Sequence, residues 1–297
     1  MKKYIAFSAD HYFHIGDPHL TGGKPCQDYA LSGVCGDVAY AVVSDGCSTG
    51  GNTDVGSRLV ALSTVAAIKK FASAKRGERL SENVSVRQCA VLAGTREILG
   101  LTIPDLYATS IYACFSKEGG YVAIHGDGVV AFKYRSGAME IIRYDWLDNT
   151  PYYPAYVGVG DEAFIAAHGG DLDVMRFGEE RWRREPEGEW VTEGKKELTL
   201  REGMAGIVLS IPKEKIENEL AFAAVFSDGI TQIEKTKFTA AISKFMSYKN
   251  IRGEFVKRRS INAIKEAQKS GLRIMDDIAN AVIAIEEIEE EDEEIST

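Results

Sequence analysis

Base is in short supply along this chain. Lysine and arginine total 35 against 44 aspartates and glutamates, a formal net charge of −9 over 297 residues. Nothing in that balance offers a basic face for a phosphodiester backbone, so no nucleic-acid partner is expected. Cysteine is sparse too: Cys26, Cys35, Cys47, Cys89 and Cys114 are odd in number and contain no Cys-x-x-Cys pair. Neither a disulfide framework nor a thiolate zinc site is expected, and the thiols read as small residues of a reducing cytosol. No apolar run approaches the length of a membrane span, and Met1-Lys2-Lys3-Tyr4 lacks the apolar core of a signal peptide. Together these predict a cytoplasmic protein with no membrane partner. The remaining composition, 45% hydrophobic and 27% charged, is that of a globular chain with a sizeable core.

The negative charge is concentrated. Glu286 to Glu294 holds eight acidic residues and no basic one, so the rest of the chain is close to neutral. Like-charge repulsion predicts a disordered, solubilising tail over residues 286–297, with contact to a basic partner as the other reading.

What the chain does have is a repeated pattern. Ala39-Tyr-Ala-Val-Val-Ser-Asp45-Gly46 and Ala223-Ala-Val-Phe-Ser-Asp228-Gly229 are both short apolar runs ending in Ser-Asp-Gly. Tyr121 to His125 ends in Gly126-Asp127-Gly128, and Asp276-Asp277 precedes the apolar segment Ala281 to Ile285. Asp-Gly after an apolar run is also the commonest tight-turn signal. A hairpin does not account for Asp45-Gly46, because Cys-Ser-Thr-Gly-Gly and a helix follow it rather than a pairing strand. Strand ends that aim carboxylates at one spot build a site for a hard cation.

The coarse reading starts with a strand at Tyr4 to Ser8 and a loop from Asp10 to Lys24. Paired strands follow at Asp28 to Ser32 and Val38 to Ser44. Asn52-Thr53-Asp54 opens a helix that is expected to turn Val55, Leu59, Leu62 and Ala66 inward, and Glu82 to Leu99 forms a second. Four strands run from Thr109 to Arg143, with a hairpin turn at Arg135-Ser-Gly-Ala. Residues 145–202 lose the pattern and read as an inserted excursion outside the core, with Trp182 to Trp190 either a substrate-facing flap or a lid over exposed core. Strands resume at Gly206 to Ile211 and Leu220 to Ser227, then two helices, from about Lys237 and from Arg252 to Lys269, then a last strand. Helices grouped apart from strands predict an α+β fold of antiparallel sheets covered by helices.

The ordered set Gln27-Asp28, Asp45-Gly46, Ala108-Thr109-Ser110, Gly126-Asp127-Gly128, Ser227-Asp228-Gly229 and Asp276-Asp277 resembles the metal-dependent PPM, or 2C-type, protein serine/threonine phosphatases. The stretch Gly23-Lys-Pro-Cys-Gln-Asp-Tyr29 is similar to a divergent prokaryotic branch of them. The resemblance implies a four-layer α-β-β-α sandwich over residues 1–285, its two sheets flanked by helix pairs. It also implies Mn²⁺ or Mg²⁺ held where the sheets meet: Asp45 bridging two ions, Gly46 lending its carbonyl, and Asp228 with Asp276 or Asp277 completing one shell. Asp28 would hold water behind them, Gln27 would stand beside the second ion, and Asp127 would help hold a third. Asp28, Asp45 and Asp228 are thus the expected catalytic residues, and a phosphorylated protein, a Ser/Thr kinase or its target, the expected partner.

The residue types suit that chemistry without the resemblance. Two divalent ions activate water and neutralise a phosphoryl group, and scattered carboxylates with no His or Cys cluster favour Mg²⁺ and Mn²⁺. No Gly-x-Ser-x-Gly supports a serine nucleophile. Departures from the family pattern are Gln27 in place of Glu, Cys47 in place of a proton-donating His, and no phosphate-contacting Arg at its expected spacing. Lys24 is the nearest cation and stands in as the substrate-binding residue. These departures keep two other readings open: a weak or inactive regulator that binds a phosphoprotein, and an enzyme for small phosphate esters or one dedicated phosphoprotein. His11, His14 and His19 cluster in one loop and could in principle bind a transition metal, but with no partner Cys or carboxylate at ligand spacing they read as structural or surface residues; His19, eight residues before Gln27, could still approach the site.

Overall fold

A computed structural model describes residues 2–72 and 80–290. In chain order the strands and helices are β1 (Lys2–His14), α1 (Asp17–Gly22), β2 (Asp28–Cys35), β3 (Val38–Asp45), α2 (Thr53–Ala72), α3 (Leu80–Leu99), β4 (Ser110–Ser116), β5 (Gly119–His125), β6 (Gly128–Tyr134), β7 (Met139–Trp146), α4 (Asp161–Ala167), β8 (Met175–Arg184), β9 (Val191–Thr199), α5 (Leu200–Ala205), β10 (Ile207–Ile211), α6 (Lys213–Asn218), β11 (Leu220–Phe226), α7 (Phe238–Phe245), α8 (Phe255–Lys269) and β12 (Ile278–Glu290). They form the expected α+β fold. One antiparallel sheet has the order β1-β12-β11-β6-β7-β8-β9 and the other β10-β5-β4-β3-β2.

Three apolar layers separate the four structural ones. Between the sheets pack Val43, Ile111, Phe115, Phe132, Val225 and Ile283 with their neighbours. Alternation along each strand sends the other set outward: Val42, Tyr112 and Ala123 meet α2, and Ala224, Phe226 and Val282 meet α7 and α8. In α8 the buried residues Val256, Ser260, Ala263, Ile264 and Ala267 follow a helical period and form its inner face.

Four expectations are corrected. The region 10–24 is not a loop: β1 continues to His14, and α1 follows with Pro18 in its first turn, where a missing N–H costs nothing. In α2, Val55 and Leu62 are exposed, while Gly56, Ser57, Ala61 and Thr64 are buried. A Cβ at Gly56 would stand 2.2 Å from the Asp105 carbonyl oxygen, so close approach selects small residues over large apolar ones. Residues 145–202 are no excursion outside the core, since Trp146, Tyr152, Phe164, Phe177 and Leu198 join the inter-sheet layer. Trp182 packs edge-on against Phe238 at 4.8 Å on the outer face of the larger sheet and Trp190 lies under Arg184, so this pair is not a substrate-facing flap. Finally, Glu286 to Glu290 extend β12 and pair with Ala6 back to Lys2, so this part of the acidic run is not a disordered tail. A strand sends the adjacent Glu286 and Glu287 carboxylates to opposite faces, which relieves their repulsion. Residues 291–297 lie outside the described residues.

Topology brings the motifs together. β2 and β3 pair antiparallel with Asp28 directly opposite Asp45. β11 ends and its neighbour β12 begins at the same end of the larger sheet, which places Asp228 beside Asp276 and Asp277. The turn Gly126-Asp127-Gly128 carries the chain from β5 in one sheet to β6 in the other.

Candidate metal centre and active site

A cavity of about 300 Å³ opens at that end of the sandwich. Its lining includes Asp45, Asp127, Asp228, Asp276 and Asp277, with Gln27, Gly46, Cys47, His19, Tyr153 and Gln232. No lysine or arginine is among the lining residues. Lys24 is exposed beyond α1 and does not line it either.

Asp28 forms the floor at 1% exposure. Ser227 Oγ donates to its Oδ2 at 2.6 Å, and the Ala279 N–H donates to Ser227 Oγ at 2.8 Å, so the floor is tied to both β11 and β12. Asp45 stands opposite Asp28 across the β2–β3 pair, and the charges of Asp28 and Asp228 both act on its carboxyl. Its backbone is held by Thr109, whose Oγ1 accepts the Asp45 N–H at 3.0 Å and whose N–H donates to the Asp45 carbonyl at 2.8 Å. Gln232 Nε2 donates to Asp276 Oδ2 at 2.9 Å and Asp228 Oδ2 at 3.2 Å, joining the two carboxylates.

Asp276 and Asp277 behave differently. Asp277 is 2% exposed and accepts the Gly16 N–H on Oδ1 and the Gln27 N–H on Oδ2, each at 2.6 Å. Asp276 is half-buried and turned to the cavity, held by Gln232 and by the Asp277 N–H.

Packing acids together shifts their protonation. Burial pushes the Asp28 carboxyl well above the usual range, against the Ser227 hydrogen bond and reinforced by the Asp277 charge. Burial does the same to Asp45, helped by Asp28 and Asp228, and to Asp127, helped by Asp228 and Asp145. Asp276 rises to about 6 through burial and the Asp228 charge. Each shift arises first from burial and then from the neighbouring carboxylates. Burial alone would raise Cys47, but hydrogen bonds from Thr49, Tyr153 and the loop backbone outweigh it and leave the thiol below its usual value.

Residues 15–180 match the family model described as protein phosphatase 2C. The chain belongs to that family. No curated protein matches the sequence. Among solved structures, the fold is similar to the S. agalactiae serine/threonine phosphatase, at 16% identity and TM-score 0.53, over 95% of this chain and 100% of that one. It is likewise similar to the serine/threonine phosphatase Stp1 from Staphylococcus aureus, at 13% identity and TM-score 0.53, over 95% and 96% of the two chains. A bacterial serine phosphatase matches at 13% identity and TM-score 0.53, over 96% and 100%. At such identities the likeness is one of fold.

The 2C family implies divalent metal use, and the donor set of this cavity fits it. Oxygen donors from separate strands converge with no side-chain cation among the lining residues. Gln27 supplies a further test. Thr53 Oγ1 donates to the Cys47 carbonyl at 3.0 Å and accepts Gln27 Nε2 at 2.6 Å, which fixes the amide orientation. Gln27 Oε1 is then buried at the cavity with no partner, an arrangement a cation would satisfy.

The expected Asp and Gln residues and Gly46 are therefore all brought to one cavity, and Lys24 is not. Reasoning from sequence missed Gln232, Tyr153 and the tie from Ser227. Gln232 had a signal, a polar residue one helical turn beyond Asp228. Ser227 had none, because its partner Asp28 is 199 positions away. Cys26, Cys35, Cys47, Cys89 and Cys114 are all free thiols. Among the described residues no helix is long and apolar enough to cross a membrane.

Proposed function

We propose that this chain hydrolyses phosphoserine and phosphothreonine on protein substrates in a Mn²⁺- or Mg²⁺-dependent reaction. The convergence of five cavity-lining carboxylates, with Asp28 beneath them, in a pocket without lysine or arginine carries the reading. Asp45, the Gly46 carbonyl, Asp228 and Asp276 would hold two ions. Gln27 Oε1 would lie beside the second, and Asp127 would help to hold a third. Ions so placed neutralise a phosphoryl group and lower the pKa of water.

The protein's own part is positional. Asp28, fixed by Ser227, accepts a hydrogen bond from the attacking water and sets its direction. Asp277 acts on geometry, since its two short backbone hydrogen bonds lock Gly16 and Gln27 in place. The exposed hydroxyls of Ser48 and Thr49 line the cavity and can donate to the phosphate, a role the position of Lys24 does not support. A phosphorylated kinase or its target is the proposed partner, in the cytoplasm.

Hydrolysis of a phosphothreonine peptide and of p-nitrophenyl phosphate with Mn²⁺ tests this, with EDTA and Asp45→Asn as controls. Turnover lost in both controls supports the enzyme. Metal binding without turnover on any substrate would instead support a phosphoprotein-binding regulator, and turnover restricted to small esters would move the substrate class.

A further inference from the structure

His19, read from sequence as a structural or surface residue, stands beside the carboxylates of the cavity. It sits on α1, which is strapped to the segment before β12 from two directions. The Asp17 N–H donates to the Ile274 carbonyl at 2.8 Å, and the Ile274 N–H donates to Asp17 Oδ2 at 2.9 Å. The Gly16 N–H adds its 2.6 Å bond to Asp277. The imidazole is thus held against Asp276 and Asp277, and the three side chains bring donor atoms within 4.8 Å of one another.

His19 Nδ1 is buried and has no hydrogen-bond partner. It lies 3.0 Å from Asp277 Oδ2 without the alignment of a hydrogen bond, and that oxygen already accepts the Gln27 N–H. Two donors at right angles, each about 2.1 Å from one octahedral ion, stand about 3 Å apart. The spacing suits a pair of ligands as well as it suits an ion pair, and the orphaned nitrogen favours ligands.

We propose that His19 Nδ1 is a nitrogen ligand to a divalent transition-metal ion bound beside Asp276 and Asp277. This rests on the metal-dependent reading above and deepens it. A site of oxygens alone accepts Mg²⁺ and Mn²⁺ alike, whereas an imidazole nitrogen favours transition ions over Mg²⁺, the later ones most and Mn²⁺ least. His19 would thereby bias the cavity toward manganese.

Manganese titrated into the metal-free full chain and read by pulsed electron paramagnetic resonance tests the ligand directly. The expected result is nitrogen-14 coupling from a coordinated imidazole, retained in His14→Ala and lost in His19→Ala. Calorimetry on His19→Ala is expected to show the preference for Mn²⁺ over Mg²⁺ reduced about tenfold. If His19→Ala fails to fold by circular dichroism, His19→Asn removes the imidazole while keeping a polar group there. Bound manganese with no imidazole coupling in the wild type, or coupling that survives the loss of His19, overturns the ligand. Phosphopeptide hydrolysis that persists in that case leaves the phosphatase reading standing. A wild-type chain that binds no manganese overturns both.

Discussion

The two Ser-Asp-Gly segments are alike in sequence and unlike in what they do. Ser44-Asp45-Gly46 ends β3 in the smaller sheet, and Ser227-Asp228-Gly229 follows β11 in the larger one. Ser44 Oγ donates to the Thr109 carbonyl at 2.6 Å, within its own sheet, whereas Ser227 Oγ reaches across to Asp28. Asp45 faces Asp28 from the neighbouring strand, and Asp228 is paired through Gln232 with Asp276. One segment therefore organises the smaller sheet's half of the cavity and the other sews the halves together. A motif read from sequence fixes which residues meet, while the partners that give each copy its role come from elsewhere in the chain.

The comparison breaks hardest at the two carboxylates. Asp45→Asn is expected to lower kcat/KM for a phosphopeptide by about 10³-fold, because it removes the charge between the two halves. Asp228→Asn should cost less, about 10²-fold, since Asp276 remains beside it. Equal losses would mean that the segments are interchangeable.

The glycines test the same contrast through packing. A Cβ on Gly229 would lie 1.8 Å from the Asp277 carbonyl oxygen, and one on Gly46 would lie 2.5 Å from that of Thr53. Both contacts are with backbone, so neither can be relieved by rotating a side chain. Gly229→Ala is expected to destabilise the fold by about 3 kcal/mol and Gly46→Ala by less, read from urea midpoints at unchanged slope.

Protonation sharpens the picture of the shared cavity. Asp28, Asp45, Asp127 and Asp276 all have folded-state values above the ordinary carboxylate value, Asp276 at about 6. An acid whose pKa is raised on folding contributes stability below its unfolded value and loses it as pH rises through the folded one. The metal-free protein should therefore lose Tm as pH rises from about 4 through 6 and beyond, by on the order of 5 °C. Millimolar Mn²⁺ should flatten or reverse the slope, because a bound cation favours the ionised forms. A metal-free Tm that rises over that range would contradict the burial of these acids.

Most of the sheet frame was legible because each acidic motif closes an apolar run, and such runs mark strands whatever the global fold. The paired strands β2 and β3, the hairpin after β6 and the helices α7 and α8 all follow from local pattern. The inner face of α2 was misread because Gly56, Ser57, Ala61 and Thr64 are buried for their smallness, which hydrophobic periodicity does not register. The core role of Trp146, Tyr152, Phe164 and Phe177 was hidden for another reason: they are spread over the end of β7, a loop, the short helix α4 and the start of β8, each too brief to show a period. In the cavity, residue types announced the carboxylates, but the placement of His19 depends on α1, a six-residue helix held by bonds to Ile274 and Asp277.

The smallest expected effect separates the two serines. Ser44→Ala removes a donor from the Thr109 carbonyl, a loss of about 1 kcal/mol of stability. Ser227→Ala should cost a similar amount of stability, but it also frees Asp28, whose carboxyl the hydroxyl both orients and keeps from rising further. Its mark should appear in catalysis: roughly a tenfold fall in kcat with the acid limb of the pH–rate profile moved upward. Ser44→Ala should leave that limb in place, because its hydroxyl touches no carboxylate. Measuring both profiles with the same phosphopeptide decides the matter. If the two variants move together, the tie from Ser227 only stabilises the fold, and the direction of the attacking water must be set by other groups in the cavity.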